Sequence, residues 1–419
     1  MKFLIPIISR YSSILVQFIL ITLIARTLPS HDAGAYFAIS GVVLSIYFIA
    51  GLGIPDGLVA ACPSAAAVGR SDTIRGMVIK GLAYSCALSI IVPICTFIIV
   101  LTFLKEADSA FHAAIWSAGY SLTFIASQTL VAMKKVQWGS FIFYSAINAC
   151  ICFSTIPYLL FAASPNLQSA LAINAFAALF AGTAALVLTV SQASKLERSP
   201  SPASLTALWK NGVLISAGRV VQAAILWTPV WIASVLLTHS DAAELGLAGR
   251  LLSIVGALLA AIRFSVRPTL AFLAVKKDWQ AVEKISGEVA FVASTFTLTA
   301  MGATWLFGED AIALVYGQDY SAVTALLLIM LGAILAESLS GTVDEALKMS
   351  MHSAVALASQ VTALALVVVL GVVLASRYGA PGAAFASVVA FIVMYGIQIL
   401  GLFRLYGIIV LPKIPHRKP

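Results

Sequence analysis

The chain has 419 residues, of which 61% are hydrophobic and only 10% charged, with a formal net charge of +8. A soluble domain carries about 25% charged residues, so the composition excludes an ordinary soluble enzyme. The basic residues are scattered over short loops rather than gathered on one element, which excludes a nucleic-acid surface as the meaning of the charge.

An α-helix needs about 20 apolar residues to cross the hydrocarbon core of a membrane. Twelve runs meet that need, near 4–26, 33–61, 76–103, 110–132, 140–163, 166–190, 211–238, 244–266, 285–306, 322–347, 352–376 and 380–404. They are too long for barrel strands and lack strict alternation, so the predicted fold class is all-α integral membrane. The first run follows Lys2 and has the look of a signal peptide, but it is too long and no small-residue cleavage site follows, so it reads as a retained helix.

In the first span, Arg10, Ser13 and Gln17 fall on one face, with Arg10 about 9 Å along the helix at 1.5 Å per residue. Ionisable groups at such depth usually face a bundle interior or a wet cavity. In the second span, Asp56 sits in "GLGIPDGLVA", where Pro55 suggests a broken helix end; a gate ion pair and a simple helix-end carboxylate are both open. Pro93, Pro157 and Pro229 lie inside spans and permit kinks. Gln128, Asn148 and Asn174 either line a sugar-sized path or bond between helices, the commoner case. The five cysteines, Cys62, Cys86, Cys95, Cys150 and Cys152, fall in or beside apolar spans without metal-ligand spacing and read as packed thiols; no metal and no cofactor is expected.

The seventh span repeats the polar stripe of the first as Ser216, Arg219 and Gln222. Two arginines at similar depth suit a phosphate or pyrophosphate, which a guanidinium grips bidentately. Arg250, in the eighth span, is placed to receive an anion in the opposite half of the membrane. Arg263 and Arg267, at the other end of that span, are expected to snorkel to headgroups. The tenth span carries Glu337, Gly341, Asp344 and Lys348 on one expected stripe, with Glu345 beside it. Glu337 and Asp344 are candidates for ion coupling or a gate, and Glu337 is equally a structural ion partner for Arg219 or Arg10.

Most of the 25 lysines and arginines fall in alternate loops, on the side that holds both ends of the chain. The opposite loops carry only Arg26, Lys105 and Arg377 and are otherwise acidic: Asp32, Glu106, Asp108, Asp241, Glu244, Glu309, Asp310 and Asp319. The positive-inside rule then places both termini in the cytoplasm. Trp116, Trp138, Trp209, Trp279 and Trp305 fall near span ends, as interfacial anchors do.

The polar stretch 191–210, "SQASKLERSPSPASLTALWK", is the one credible linker. Superposing the halves so that Arg10 meets Arg219 puts span 4–26 on 213–235 and Asp32 on Asp241. The expected organisation is an N-lobe of six helices over 1–190, a cytoplasmic linker over 191–210, and a C-lobe of six helices with a short basic tail over 211–419. Two such lobes, related by a pseudo-two-fold along the membrane normal, would enclose a central cavity.

"ARTLPSHDAGAYFAISGVVLSIYFIAGLGIPDGLVA" resembles the opening of the bacterial polysaccharide-biosynthesis membrane proteins, the lipid-linked oligosaccharide flippases for O-antigen and exopolysaccharide. It carries Gly34 and Tyr36 in the first turn and Gly51, Gly53 and Gly57 where the second helix closes. "VYGQDYSAVTALLLIMLGA", with Tyr316, Gly317, Tyr320 and Leu327, and "YGAPGAAFASVVA", with Gly379, Gly382 and Ala383, are similar to that family's entries into its tenth and twelfth helices.

The resemblance implies a twelve-helix flippase of the multidrug/oligosaccharidyl-lipid/polysaccharide exporter superfamily in a bacterial inner membrane. It would pass undecaprenyl-pyrophosphate-linked oligosaccharide from the cytoplasmic to the periplasmic leaflet, for lipopolysaccharide, capsule or exopolysaccharide. Arg10, Arg219 and Arg250 would supply the cationic cavity, with Gln17 and Gln222 beside them. Membrane lipid, a polysaccharide polymerase and chain-length proteins are the implied partners.

The alternative is a multidrug exporter of the same fold. Such exporters usually carry an acidic residue in the first helix, whereas this one has Arg10 and no carboxylate. A membrane polymerase or glycosyltransferase fits less well, because the outer loops are too short to house a catalytic site.

Overall fold

The computed structural model describes residues 4–67, 73–196, 205–317, 320–350 and 352–414. Helices account for nearly all of them, and no strand occurs among the described residues. The chain divides into two compact units, Met1–Ala223 and Ala224–Pro419.

The first unit opens with α1 (Leu4–Thr27) and α2 (Ser30–Ile46), which passes through a 3-10 turn (Tyr47–Gly53) into α3 (Ile54–Ala67). Ala50, Gly51 and Leu52 leave the helical region there, with Gly51 at φ 69° and Leu52 at φ 47°. Glycine takes the left-handed conformation freely, while a leucine in it costs about 1–2 kcal/mol. The break is therefore built in, and Pro55, in the first turn of α3, needs no amide donor.

Next come α4 (Ile74–Leu88) and α5 (Ile91–Ile99), which run as one span with Pro93 just past their break, then α6 (Ala107–Ala132). A single turn, α7 (Val136–Ser140), leads by a π turn into α8 (Ile147–Phe161), followed by α9 (Leu167–Ser194). Asn166 caps α9, accepting a bond from the Ser169 amide at 2.9 Å.

The helix α6 is the centre of this unit, packed on α9 through small residues (Ser117, Gly119, Ala126; Ala178, Gly182, Ala185). Its hydroxyls turn back onto their own helix, as Ser121 onto Ser117 O and Thr129 onto Ile125 O. A helix surrounded by protein satisfies its polar side chains internally and needs less apolar surface. The helices at the rim instead expose large apolar groups, Phe153 at 81% and Phe161 at 85% on α8, which only a lipid environment tolerates.

The boundary between the units falls inside α10 (Leu205–Leu236). The second unit continues with α11 (His239–Lys276), α12 (Trp279–Tyr316), α13 (Val323–Leu339), α14 (Val343–Met349), α15 (Ser353–Tyr378) and α16 (Ala380–Tyr406). Thr238 and Asp241 form a reciprocal capping box at the start of α11, which gives the "HSDAAEL" carboxylate a local structural task. Beyond α16 the chain folds back: Ile408 and Val410 are buried, and the Lys413 amide donates to Gly287 O at 2.9 Å.

Eight helical spans are long and apolar enough to cross a membrane, nine when α13 and α14 are taken as one bent span. The remaining expected spans correspond to α1, α6 and α11. The molecule is a multi-pass integral membrane protein.

Two expectations need correcting. The stripe of Glu337, Gly341, Asp344 and Lys348 does not lie on a continuous helix, because α13 and α14 meet at 46° about Gly341, at φ 61°. Trp116 is not an interfacial anchor: it is 3% exposed and tilts over Tyr36 at 5.8 Å. Trp138 and Trp305 do project, at 60% and 74% exposure.

Candidate functional site

The first unit gathers one charged site around Arg219. The early part of α10 lies backbone-to-backbone on the broken second span, since a Cβ at Gly57 would overlap Leu208 O and one at Gly212 would overlap Gly53 O. That closeness lets Ser216 Oγ donate to Phe48 O at 2.6 Å. One turn on, Arg219 Nη2 meets Asp56 Oδ1 at 3.1 Å. The guanidinium rests over the rings of Phe48 and Phe124, 5.9 and 5.7 Å from their centroids.

The pair is asymmetric. Asp56 is 3% exposed and its Oδ2 has no hydrogen-bond partner among the described residues, whereas the Arg219 side chain is 36% exposed. Arg219 thus holds a buried carboxylate with one nitrogen and leaves part of its donor fork open.

Neighbouring amides work between helices. Asn148 donates to Ser13 Oγ at 2.9 Å and accepts from the Tyr120 hydroxyl at 2.9 Å. Asn174 accepts from Thr155 Oγ1 at 2.5 Å and donates to the Tyr36 hydroxyl at 2.8 Å. These two asparagines take the interhelical alternative. Ser13, expected on the face of Arg10, is buried against α8. The Arg10 side chain lies outside the described residues; Gln17 is half-buried and Gln222 exposed.

In the second unit, Arg263 binds the Glu337 carboxylate through Nη1 and the Glu337 backbone carbonyl through Nη2 at 2.9 Å. The expectation that Arg263 snorkels is corrected: the group is 12% exposed and committed to a partner inside the unit. Arg267's side chain lies outside the described residues. Asp344 pairs with Lys348 one turn on, Nζ to Oδ2 at 2.5 Å. Arg250 sits over the Trp227 indole at 4.7 Å.

Sequence reasoning named Asp56, Arg219 and Glu337 but offered Arg219 or Arg10 as the partner of Glu337; the structure instead pairs Glu337 with Arg263, and Arg219 with Asp56. A signal for Arg263 was present, since a buried carboxylate requires a basic neighbour and Arg263 lies within the expected eighth span.

No family model matches the chain. A curated relative, the probable low-salt glycan biosynthesis flippase Agl15 of Haloferax volcanii, is 22% identical over 228 residues, 53% of this chain and 48% of its own. The match thus spans about half the length of that relative.

Solved structures match far more of the chain. A multidrug resistance MATE family transporter of the MOP superfamily, in an inward-facing conformation, aligns over 96% of this chain and 98% of its own, at TM-score 0.66 and 14% identity. The chain has the fold of that transporter. The lipid II flippase MurJ, inward closed, aligns over 94% and 86% at TM-score 0.66 and 12% identity. A mutant of the Vibrio cholerae MATE transporter VcmN aligns over 96% and 94% at 0.65 and 13%. These proteins are described as transporters or flippases, not enzymes. In this transporter fold Arg219, Asp56, Arg263 and Glu337 are charged groups carried on spans, where charge is costly and is kept for a reason.

Proposed function

We propose that this protein flips undecaprenyl-pyrophosphate-linked oligosaccharide from the cytoplasmic to the periplasmic leaflet of a bacterial inner membrane by alternating access. The product would feed surface polysaccharide synthesis (O-antigen, capsule or exopolysaccharide), alongside a polymerase and chain-length proteins. Both termini would be cytoplasmic, and the six-helix lobes 1–190 and 211–419 would rock about the linker 191–210.

The observation that carries this reading is the half-open guanidinium of Arg219, held in a membrane span on an aromatic bed. Such a group offers a phosphate oxygen a charge-assisted bond at a depth where water competes poorly. The flippase description of the Haloferax relative supports a glycan cargo. Arg10 and Arg250, with Gln17 and Gln222, are the further groups we assign to the pyrophosphate and sugars. For Glu337 the Arg263 clamp supports the structural role over ion coupling, as the Lys348 pairing does for Asp344.

The MATE likeness supports a second reading, a multidrug exporter. The absence of any carboxylate along Leu4–Thr27 argues against a cationic cargo. The two readings separate in a complementation assay: the flippase reading expects surface polysaccharide to be restored by the wild type and lost in Arg219→Ala and Arg10→Ala, with the protein still in the membrane. Full function of both variants would defeat the assignment.

A further inference from the structure

The contact between α10 and the broken second span has the form of a latch. The break at Ala50–Leu52 interrupts the helical bonds on which the Phe48 carbonyl would depend, and Ser216 on α10 supplies a donor instead. Just beyond the break, Arg219 on α10 neutralises Asp56. Below them Leu208 of α10 packs into a buried cluster with Leu58 and Cys62 of α3. Two polar contacts and one apolar contact thus hold the same two elements together.

The polar contacts are unequal to a phosphate. Arg219 gives Asp56 one nitrogen, and its side chain stays 36% exposed. A phosphate presents several charged oxygens and takes a guanidinium bidentately, a stronger arrangement than the one Asp56 makes. Asp56, deprived of its partner, is a carboxylate at 3% exposure whose Oδ2 has no bond among the described residues either. A buried charge left unpaired is strongly unfavourable, and rehydrating it requires the contact with α10 to part. A phosphate bound at Arg219 therefore favours the open arrangement over the closed one, which is what allows a ligand to shift such an equilibrium.

We propose that Asp56 and Arg219 form a latch between α3 and α10 that the phosphate of the cargo opens by taking Arg219 from Asp56. This rests on the reading of the cargo as phosphate-bearing. It adds that cargo binding itself releases the closed arrangement, so that an empty carrier stays shut at this contact.

The native thiol of Cys62 reports the state of the latch, because it is 1% exposed and shares its cluster with Leu208. Cys152 is 2% exposed and packed against Val16 O, and serves as the internal control. Full-length protein in detergent or vesicles is treated with N-ethylmaleimide, and labelling of each cysteine is followed by mass spectrometry, with inorganic pyrophosphate or with chloride at matched ionic strength.

Pyrophosphate should speed Cys62 labelling several-fold in the wild type and leave Cys152 unchanged. Asp56→Asn, nearly isosteric, should label fast at Cys62 without pyrophosphate and respond little to it. Ser216→Ala should raise the basal rate yet keep the response. Wild-type labelling indifferent to pyrophosphate, or an Asp56→Asn rate equal to wild type, would overturn the latch. Equal acceleration at Cys62 and Cys152 would also overturn it, as general loosening. The flippase reading is judged separately, by glycan transport: transport with unresponsive Cys62 removes the latch alone, and a responsive Cys62 without glycan transport removes the cargo assignment alone.

Discussion

Arg263 grips Glu337 twice, at the carboxylate and at the backbone carbonyl, where α13 gives way to α14. The last carbonyls of a helix have no intrahelical donor. Here the Glu337 carbonyl receives both Arg263 Nη2 and Ser340 Oγ, the latter at 2.7 Å. The ion pair therefore braces the end of α13 beside the 46° bend and neutralises two largely buried charges.

Removing one partner of such a pair is more harmful than removing both, because the survivor is left charged and buried. Arg263→Ala should cost about 3–5 kcal/mol, and Arg263→Met with Glu337→Leu should recover much of it. Thermal or denaturant unfolding of the purified protein checks this through a double-mutant cycle; additive losses would show that the two side chains act independently.

Replacing Gly57 by Leu should prevent α10 from seating on α3, since even a Cβ there overlaps Leu208 O. The expected outcome is loss of transport with severe loss of folded protein. Gly302→Ala on α12, with nothing among the described residues within 4 Å of its added methyl group, should be neutral or stabilising by about 0.4–1 kcal/mol. Comparing folded yield by size-exclusion profile checks both.

Asn174→Ala should remove two interhelical bonds and cost about 1 kcal/mol, within the measured range for membrane hydrogen bonds. Transport should survive, because the amide is wholly buried between helices. A variant with unchanged stability and abolished transport would instead place Asn174 on the cargo path.

How much of this was legible in the sequence differs from element to element. A membrane span announces itself by length and apolarity, so the runs 166–190, 352–376 and 380–404 lie within α9, α15 and α16 up to a residue or two. Pro55 and its glycines marked the break in the second span, because positive φ and a missing donor are properties of the residue type. Pairing was not legible. Arg263 and Glu337, like Arg219 and Asp56, lie on helices far apart in the chain, and their meeting depends on helix rotation, which apolar runs do not fix. Trp116 misled for the same reason: it lies nine residues into α6, on a side packed against α2 rather than turned to the interface.

A cysteine at Ser240 should react with an impermeant thiol reagent added outside intact cells, and one at Ser199, which lies outside the described residues, should not. The reverse labelling would overturn the orientation in which both termini are cytoplasmic.

The central claim is that Arg219 serves a phosphate-bearing glycan lipid. Purified protein in vesicles loaded with polyprenyl-pyrophosphate-linked oligosaccharide, assayed by accessibility of the glycan to an added glycosidase, tests it most directly. The account predicts glycan exchange between leaflets with the wild type and loss of at least ten-fold in rate with Arg219→Ala at equal reconstitution, about 1.4 kcal/mol or more of lost stabilisation. Equal rates for the two proteins, or transport of a cationic dye in place of the glycan, would contradict it.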